Sequence, residues 1–211
     1  MQDAELQAAT ASEPLSMTEE YDMQRSWRTD NDKLTFIVCQ SWDQKRDPQE
    51  VQGGKDDLPE RMIGDINLFL FEPEDEDEEG EDVVQANNTS TSNALVGEIE
   101  LMIARKDLHR QGYGRAALLS FTTYILDTWV QIAAEYSSAG DENPRCLGYL
   151  RVKINQTNTR SIALFKSIGF VQTAAGANYF GEVELRWQPS RSELEMCKGW
   201  EDSQLLKYAE N

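Results

Sequence analysis

Gly97-Glu98-Ile99-Glu100-Leu101-Met102-Ile103-Ala104-Arg105-Lys106-Asp107-Leu108-His109-Arg110-Gln111-Gly112-Tyr113-Gly114-Arg115 is the stretch whose reading decides the fold. Gly97 to Ala104 read as a strand, and a short basic turn with two glycines follows. A helix then begins at once, because Leu118, Phe121, Ile125, Trp129 and Ile132 recur at three- and four-residue steps. A strand that feeds a glycine turn opening a helix points bare amide N–H groups and the positive end of the helix dipole at one spot. That spot favours a phosphate.

Two glycines at a helix start are weak by themselves. A dinucleotide fingerprint wants a third glycine, where this chain has Ala117, and a tight turn, where it has the six residues Arg105 to Arg110. A phosphate loop of the Walker kind needs Gly-Lys-Ser/Thr, which is missing. Neither a kinase nor a dehydrogenase is expected.

Charge supports a small anionic ligand. The chain holds 38 acids against 20 Lys and Arg, a net charge of −18. Nucleic-acid binding depends on basic groups displacing phosphate counterions, so no nucleic-acid partner is expected. The distribution is uneven: residues 108–126 and 143–181 contain no acid. Segments 105–126 and 143–181 carry a net +8 and the rest −26. Two basic islands in an acidic chain suggest a polyanion held between them.

Of 211 residues, 39% are hydrophobic, enough for one core. No apolar run reaches the ~18 residues of a membrane span, and the acid-bearing start does not read as a signal peptide. Cys39, Cys146 and Cys197 are odd in number and widely spaced. They give no zinc pattern, so no metal is expected, and they suit a cytoplasmic or nuclear setting.

Outward from the centre, Ser16 or Thr18 caps a helix running to Trp27. Thr35 to Trp42 and Arg61 to Phe71 read as strands, with Gly64 a bulge, and the polar stretch from Asp43 to Pro59 as a loop. An insert at about 72–94 carries nine acids between Glu72 and Asp82, then a polar tract; it is too polar to offset its ordering entropy and is expected to be disordered. Leu147 to Asn155 form a strand, Asn158 caps a helix ended by Gly169, and Phe170–Thr173 with Tyr179–Trp187 form a closing pair. The domain thus spans 1–188, and 189–211 is a tail in which a short helix is expected.

The stretch 97–114, with Asn158, Ser161, Ile162, Leu164, Phe165, Gly169 and Phe170 at their spacing, resembles the GCN5-related N-acetyltransferase (GNAT) superfamily. Residues 10–15 (TASEPL), 63–70 (IGDINLFL) and 97–104 (GEIELMIA) look like the N-acetyltransferase 9-like group. The resemblance implies an α/β fold: one mixed, mostly antiparallel sheet with a central, splayed parallel strand pair flanked by helices. The family's first strand has no counterpart in Met1–Thr10, so an open sheet edge is expected.

The resemblance also implies acetyl-coenzyme A as cosubstrate and a protein or peptide amine as acceptor, with tubulin the first to test. Pantetheine would pair with backbone near Met102, Ile103 and Ala104. The pyrophosphate would lie on the turn of His109, Arg110, Gln111, Gly112, Tyr113, Gly114 and Arg115. Asn158 and Phe165 complete the expected coenzyme contacts, and Arg105 and Lys106 the neutralising charges. His109 replaces the family's Gln or Arg, and Phe165 stands where many relatives carry a tyrosine acid, which leaves the donor to the thiolate unassigned, with Tyr113, Tyr149 and Tyr179 as candidates. An ammonium must lose a proton before it attacks a thioester. Glu98 and Glu100 lie two apart, on one face of their strand, and either is a candidate base unless it is merely solvated or paired with Arg186. The alternative is a catalytically weak module of this fold that binds coenzyme A and, through its acidic loop, a basic partner.

Overall fold

A computed structural model describes residues 15–40, 50–73, 93–137 and 144–209. In chain order the elements are α1 (Met17–Trp27), β1 (Lys33–Cys39), β2 (Glu50–Gln52), β3 (Met62–Phe71), β4 (Ala94–Ile103), α2 (Tyr113–Tyr136), β5 (Cys146–Asn155), α3 (Thr159–Lys166), β6 (Val171–Gln172), β7 (Glu182–Trp187), α4 (Arg191–Glu195) and β8 (Lys207–Ala209). Ser16 caps α1 in a reciprocal box with Glu19. Ser190 and Glu193 do the same for α4, the short helix expected in the tail.

Six strands form one sheet in the order β1-β3-β4-β5-β7-β6. Only β4 and β5 run parallel, joined by the long crossover helix α2. Among the described residues nothing pairs outside β1, which leaves Phe36 and Ile37 exposed on an edge strand. The mixed α/β class, with its central parallel pair, is the architecture expected from sequence.

The sheet has one apolar face and one charged face, as strand alternation dictates. Ile66, Leu68, Ile99, Leu150, Val152 and Leu185 turn to the helices and pack with Leu118, Phe121 and Ile125 of α2 and Phe165 of α3. The intervening positions on β3, β4 and β5 carry Asp65, Asn67, Glu98, Glu100, Arg151 and Lys153 toward the other face.

Gly64 explains the expected bulge. The β1–β3 register slips between Val38 and Cys39, passing from Gly64 to Met62. A Cβ on Gly64 would lie 1.9 Å from the Met102 carbonyl oxygen, so only glycine lets β3 and β4 close here.

Residues 43–59, expected as loop, contain β2, which pairs in parallel with β8 of the tail. A three-residue strand whose partner lies more than 150 positions away leaves no periodicity to read. Residues 74–92, most of the acidic insert, lie outside the described residues.

Candidate functional site

The turn ahead of α2 is built to present amides. Leu108 is buried and anchors a single turn of 3-10 helix, Lys106–Leu108. Arg110 then takes φ 63°, and Gly112 takes φ 95° as the N-cap of α2. These left-handed steps turn successive N–H groups outward. The imidazole of His109 (Nε2) lies 2.7 Å from the Ile103 carbonyl oxygen, and Gln111 Nε2 donates to the Asp107 carbonyl at 2.8 Å. Nothing lies within 4 Å of where a Gly112 Cβ would stand. The result is an open, electropositive cradle at the start of a 24-residue helix.

The arginines divide. Arg110 is exposed and takes no ion-pair partner among the described residues. Arg105 is paired with Asp107 at 2.6 Å. Arg115 points away from the cradle, donating to the Lys198 carbonyl at 2.7 Å and to Ser167 Oγ at 2.6 Å. It fastens α2 to the tail and to the end of α3; its contribution to an anion site is its backbone.

Beside the cradle the sheet opens. Pairing of β4 with β5 stops at Glu98 opposite Arg151, while β4 stays paired with β3 to Ile103. Backbone groups alternate sides along a strand. Ala104 N–H bonds to the Ile63 carbonyl at 2.8 Å, and the Met102 carbonyl also faces β3. Of the three expected pantetheine contacts, Ile103 therefore turns its backbone into the gap, with Leu101 beside it, and the His109 ring takes the Ile103 carbonyl.

Across the gap, Asn158 caps α3 by accepting from Ser161 N–H at 3.2 Å. Its amide nitrogen is left over for another acceptor. Phe165, expected among the coenzyme contacts, is instead a core residue, 3% exposed. Its ring meets Phe170 edge-on at 5.0 Å, with Trp187 behind Phe170. The helical spacing that puts Ile162 and Phe165 on one side puts that side on the sheet.

The two candidate carboxylates separate in role. Glu98 is bound to Arg151 at 2.6 Å and lies 3.6 Å from Lys153. Arg186, the sequence-proposed partner, pairs with Glu184. Glu100 takes no ion pair among the described residues. It reaches solvent, yet the sheet crowds its carboxyl: lost hydration, then the charges of Glu98 and Asp65, raise its pKa above the ordinary 4.5.

Asp65 and Asn67 on β3 are the neighbours that sequence reasoning missed. Asn67 stands opposite Glu100 in the β3–β4 register and donates Nδ2 to Asp65 Oδ1 at 2.9 Å. Burial raises the Asp65 pKa above 3.8, and the Asn67 bond only partly offsets it. The available signal was Asp65-x-Asn67, two polar residues at alternate positions in an otherwise apolar strand.

A carboxyl with a raised folded pKa penalises the fold once it ionises. Asp65 costs nothing below pH 3.8, and its penalty grows as pH climbs through the raised value and is complete above it. Asp65→Asn keeps an acceptor oxygen for Asn67 and removes the charge. It is expected to raise Tm at neutral pH, the gain shrinking to nothing below pH 3.8. Thermal melts across pH check this, and a lower Tm at neutral pH would contradict it.

Of the tyrosines, Tyr113 opens α2 beside the cradle, Tyr149 lies under the Arg186 guanidinium at 4.6 Å, and Tyr179 is 97% exposed. A hollow of about 310 Å³ opens on the charged face, lined by Lys153, Thr173, Asn178, Glu182, Glu184 and Arg186. The short helix of the tail was legible in the sequence but its packing was not: Leu194 is fully buried and Trp200 Nε1 donates to Thr123 Oγ1 at 3.2 Å. No helix among the described residues is long and apolar enough to cross a membrane.

Comparison with known proteins bears on the family and the fold. The model of the acetyltransferase (GNAT) domain family matches residues 1–171. The chain is 42% identical over 192 residues to the N-acetyltransferase 9-like protein of Schizosaccharomyces pombe, covering 88% of this chain and 83% of that one. It is 35% identical to the alpha/beta-tubulin-N-acetyltransferase 9 of Drosophila melanogaster (88% and 73% covered) and 34% identical to that of Homo sapiens (92% and 73%). A solved structure of aminoglycoside acetyltransferase AAC(6')-Ib with coenzyme A and kanamycin superposes with TM-score 0.52 at 12% identity, covering 92% of this chain and 86% of that one. At that identity the likeness is one of fold.

Proposed function

The chain belongs to the acetyltransferase (GNAT) family and is an acetyl-coenzyme A-dependent N-acetyltransferase, and from that premise we propose that it acetylates a protein amine, with αβ-tubulin the first acceptor to test. The observation that carries the reading is the gap in the sheet: an amide cradle flanks it on the helix side, and Glu100, a carboxylate with no ion pair among the described residues, flanks it on the charged side. Two cosubstrates can thus meet through the sheet from opposite faces.

The residues present fit the coenzyme. The turn from His109 to Arg115 offers amides and Arg110 to the pyrophosphate. Leu101, Ile103 and the Asn158 amide line the way for pantetheine. The bound thioester supplies an acetyl carbon open to attack. Glu100 takes the amine's proton, while Glu98 is held by Arg151 and serves to fix β4 to β5. The acceptor chain runs over the charged face toward the Asn178–Glu184 hollow. We place the protein in the cytosol or nucleus, where its three free thiols would stay reduced.

The acceptor reading borrows from relatives named for tubulin, so the test must discriminate. Acetyl-coenzyme A is incubated with purified αβ-tubulin, with peptides bearing a free α-amine, and with α-blocked peptides carrying lysine. Mass spectrometry is expected to find acetylated tubulin and one preferred amine class. Saturable coenzyme binding with no transfer to any of them would favour the alternative, a binding module without turnover.

A further inference from the structure

Beside Glu100 lies a group of oxygens that the transfer reaction alone does not explain. Asn67 is only 3% exposed, and its Oδ1 meets no donor although its Nδ2 is satisfied by Asp65. A buried, unpaired acceptor is costly and needs a partner. Asp65 and Glu100 likewise take no ion pair among the described residues, while Arg151 and Lys153 of β5 both lie against Glu98. Asn67 stands opposite Glu100 and Asp65 lies two residues along β3, so three side chains with acceptor oxygens, two of them carboxylates, share one face where β4 has parted from β5. Such a group of acceptors suits a cation with several N–H donors.

We propose that Asp65, Asn67 and Glu100 form a receptor for the acceptor's primary ammonium. This deepens the amine-acetyltransferase reading and rests on it. An –NH3+ group has three donors for three oxygens, which a quaternary ammonium lacks. The amine therefore binds in its charged form, the form that predominates at neutral pH. One N–H bond then breaks, its electron pair stays on nitrogen, and the proton passes to the Glu100 carboxylate. The neutral amine attacks the thioester carbon, the C–N bond forms as the C–S bond breaks, and the second nitrogen proton leaves with the sulfur as thiol. Glu100 finally returns its proton to the solvent it touches. Asp65 and Asn67 touch only the ammonium, so they set amine affinity and Glu100 sets the rate.

The test uses the full chain with side-chain carboxyls labelled with carbon-13, and methylammonium chloride as the probe against tetramethylammonium chloride at equal ionic strength. Methylammonium is expected to shift the Asp65 and Glu100 signals saturably, tetramethylammonium is not, and Asp65→Asn should weaken the response about tenfold. Equal responses to both ions, or none, would overturn the receptor. In kinetics, Asp65→Asn and Asn67→Leu should raise the acceptor KM and leave the KM for acetyl-coenzyme A unchanged. Methylammonium binding without transfer to any acceptor would refute the enzyme reading and spare the receptor. Glu100-dependent transfer without methylammonium binding would do the reverse.

Discussion

Glu100→Gln should lower kcat for acetyl transfer at neutral pH by about a hundredfold or more, within the ~10²–10⁴ that a positioned base contributes. Glutamine keeps the size and one acceptor oxygen, so fold and neighbours are preserved and the lost quantity is the proton acceptor. The KM for acetyl-coenzyme A should not move, because the amide cradle lies on the other side of the sheet. The pH profile gives a sharper check. In the parent, kcat/KM should rise with pH through a limb set by Glu100, displaced above 4.5 by lost hydration and by Glu98 and Asp65. The variant should lose that limb and follow the fraction of free amine, which grows until the amine's own pKa, near 8 for an α-amine and 10.4 for lysine. The deficit should therefore shrink as pH rises. A variant within a few-fold of the parent across that range would remove Glu100 from the chemistry. Glu98→Gln makes the contrast: it takes the carboxylate charge away from Arg151, 5% exposed, and should show itself mainly as lost stability.

The difference between these two glutamates marks how far sequence reached. Alternation placed both on one face of β4 and showed either could act. It could not say which was engaged, because the partners Arg151 and Lys153 come from β5, some fifty residues on, through a parallel pairing whose register no local pattern specifies. Strands, the crossover helix and the glycine turn were legible because period and turn chemistry are local properties. Phe165 shows the opposite failure: its place in a motif suggested a ligand contact, while its place on the apolar stripe of α3 sent it into the core. Asp65 and Asn67 were passed over because two polar residues in a strand signify nothing until β4 lies beside them. The packing of the tail was opaque for the same reason. Its buried Leu194 and its grip on Arg115 are meaningful only once α2 is in place.

Gly112 permits a test of the cradle that separates conformation from charge. At φ 95° it occupies a region most side chains enter at a cost of about 1–2 kcal/mol, yet no atom lies within 4 Å of a Cβ there. Alanine should therefore lower stability by about that amount and leave coenzyme affinity nearly intact. Asparagine and aspartate both tolerate left-handed backbone better than most residues. They differ by one charge. Two like charges ~4 Å apart repel by about 4 kcal/mol at an effective dielectric of ~20, and less when screened. Gly112→Asp should thus weaken acetyl-coenzyme A by about a hundredfold, some 2.7 kcal/mol, while Gly112→Asn stays within a few-fold of the parent. Calorimetric titration of the three variants, with melting curves to confirm folding, makes the comparison. Were aspartate to bind as tightly as asparagine, the phosphates would rest elsewhere, and the turn would be a structural joint between β4 and α2. If the two differ as expected, the amides of residues 109–115 hold the anion, and the long basic turn, too open for a dinucleotide fold, is what gives a branched coenzyme room to pass from the helix dipole into the parted strands.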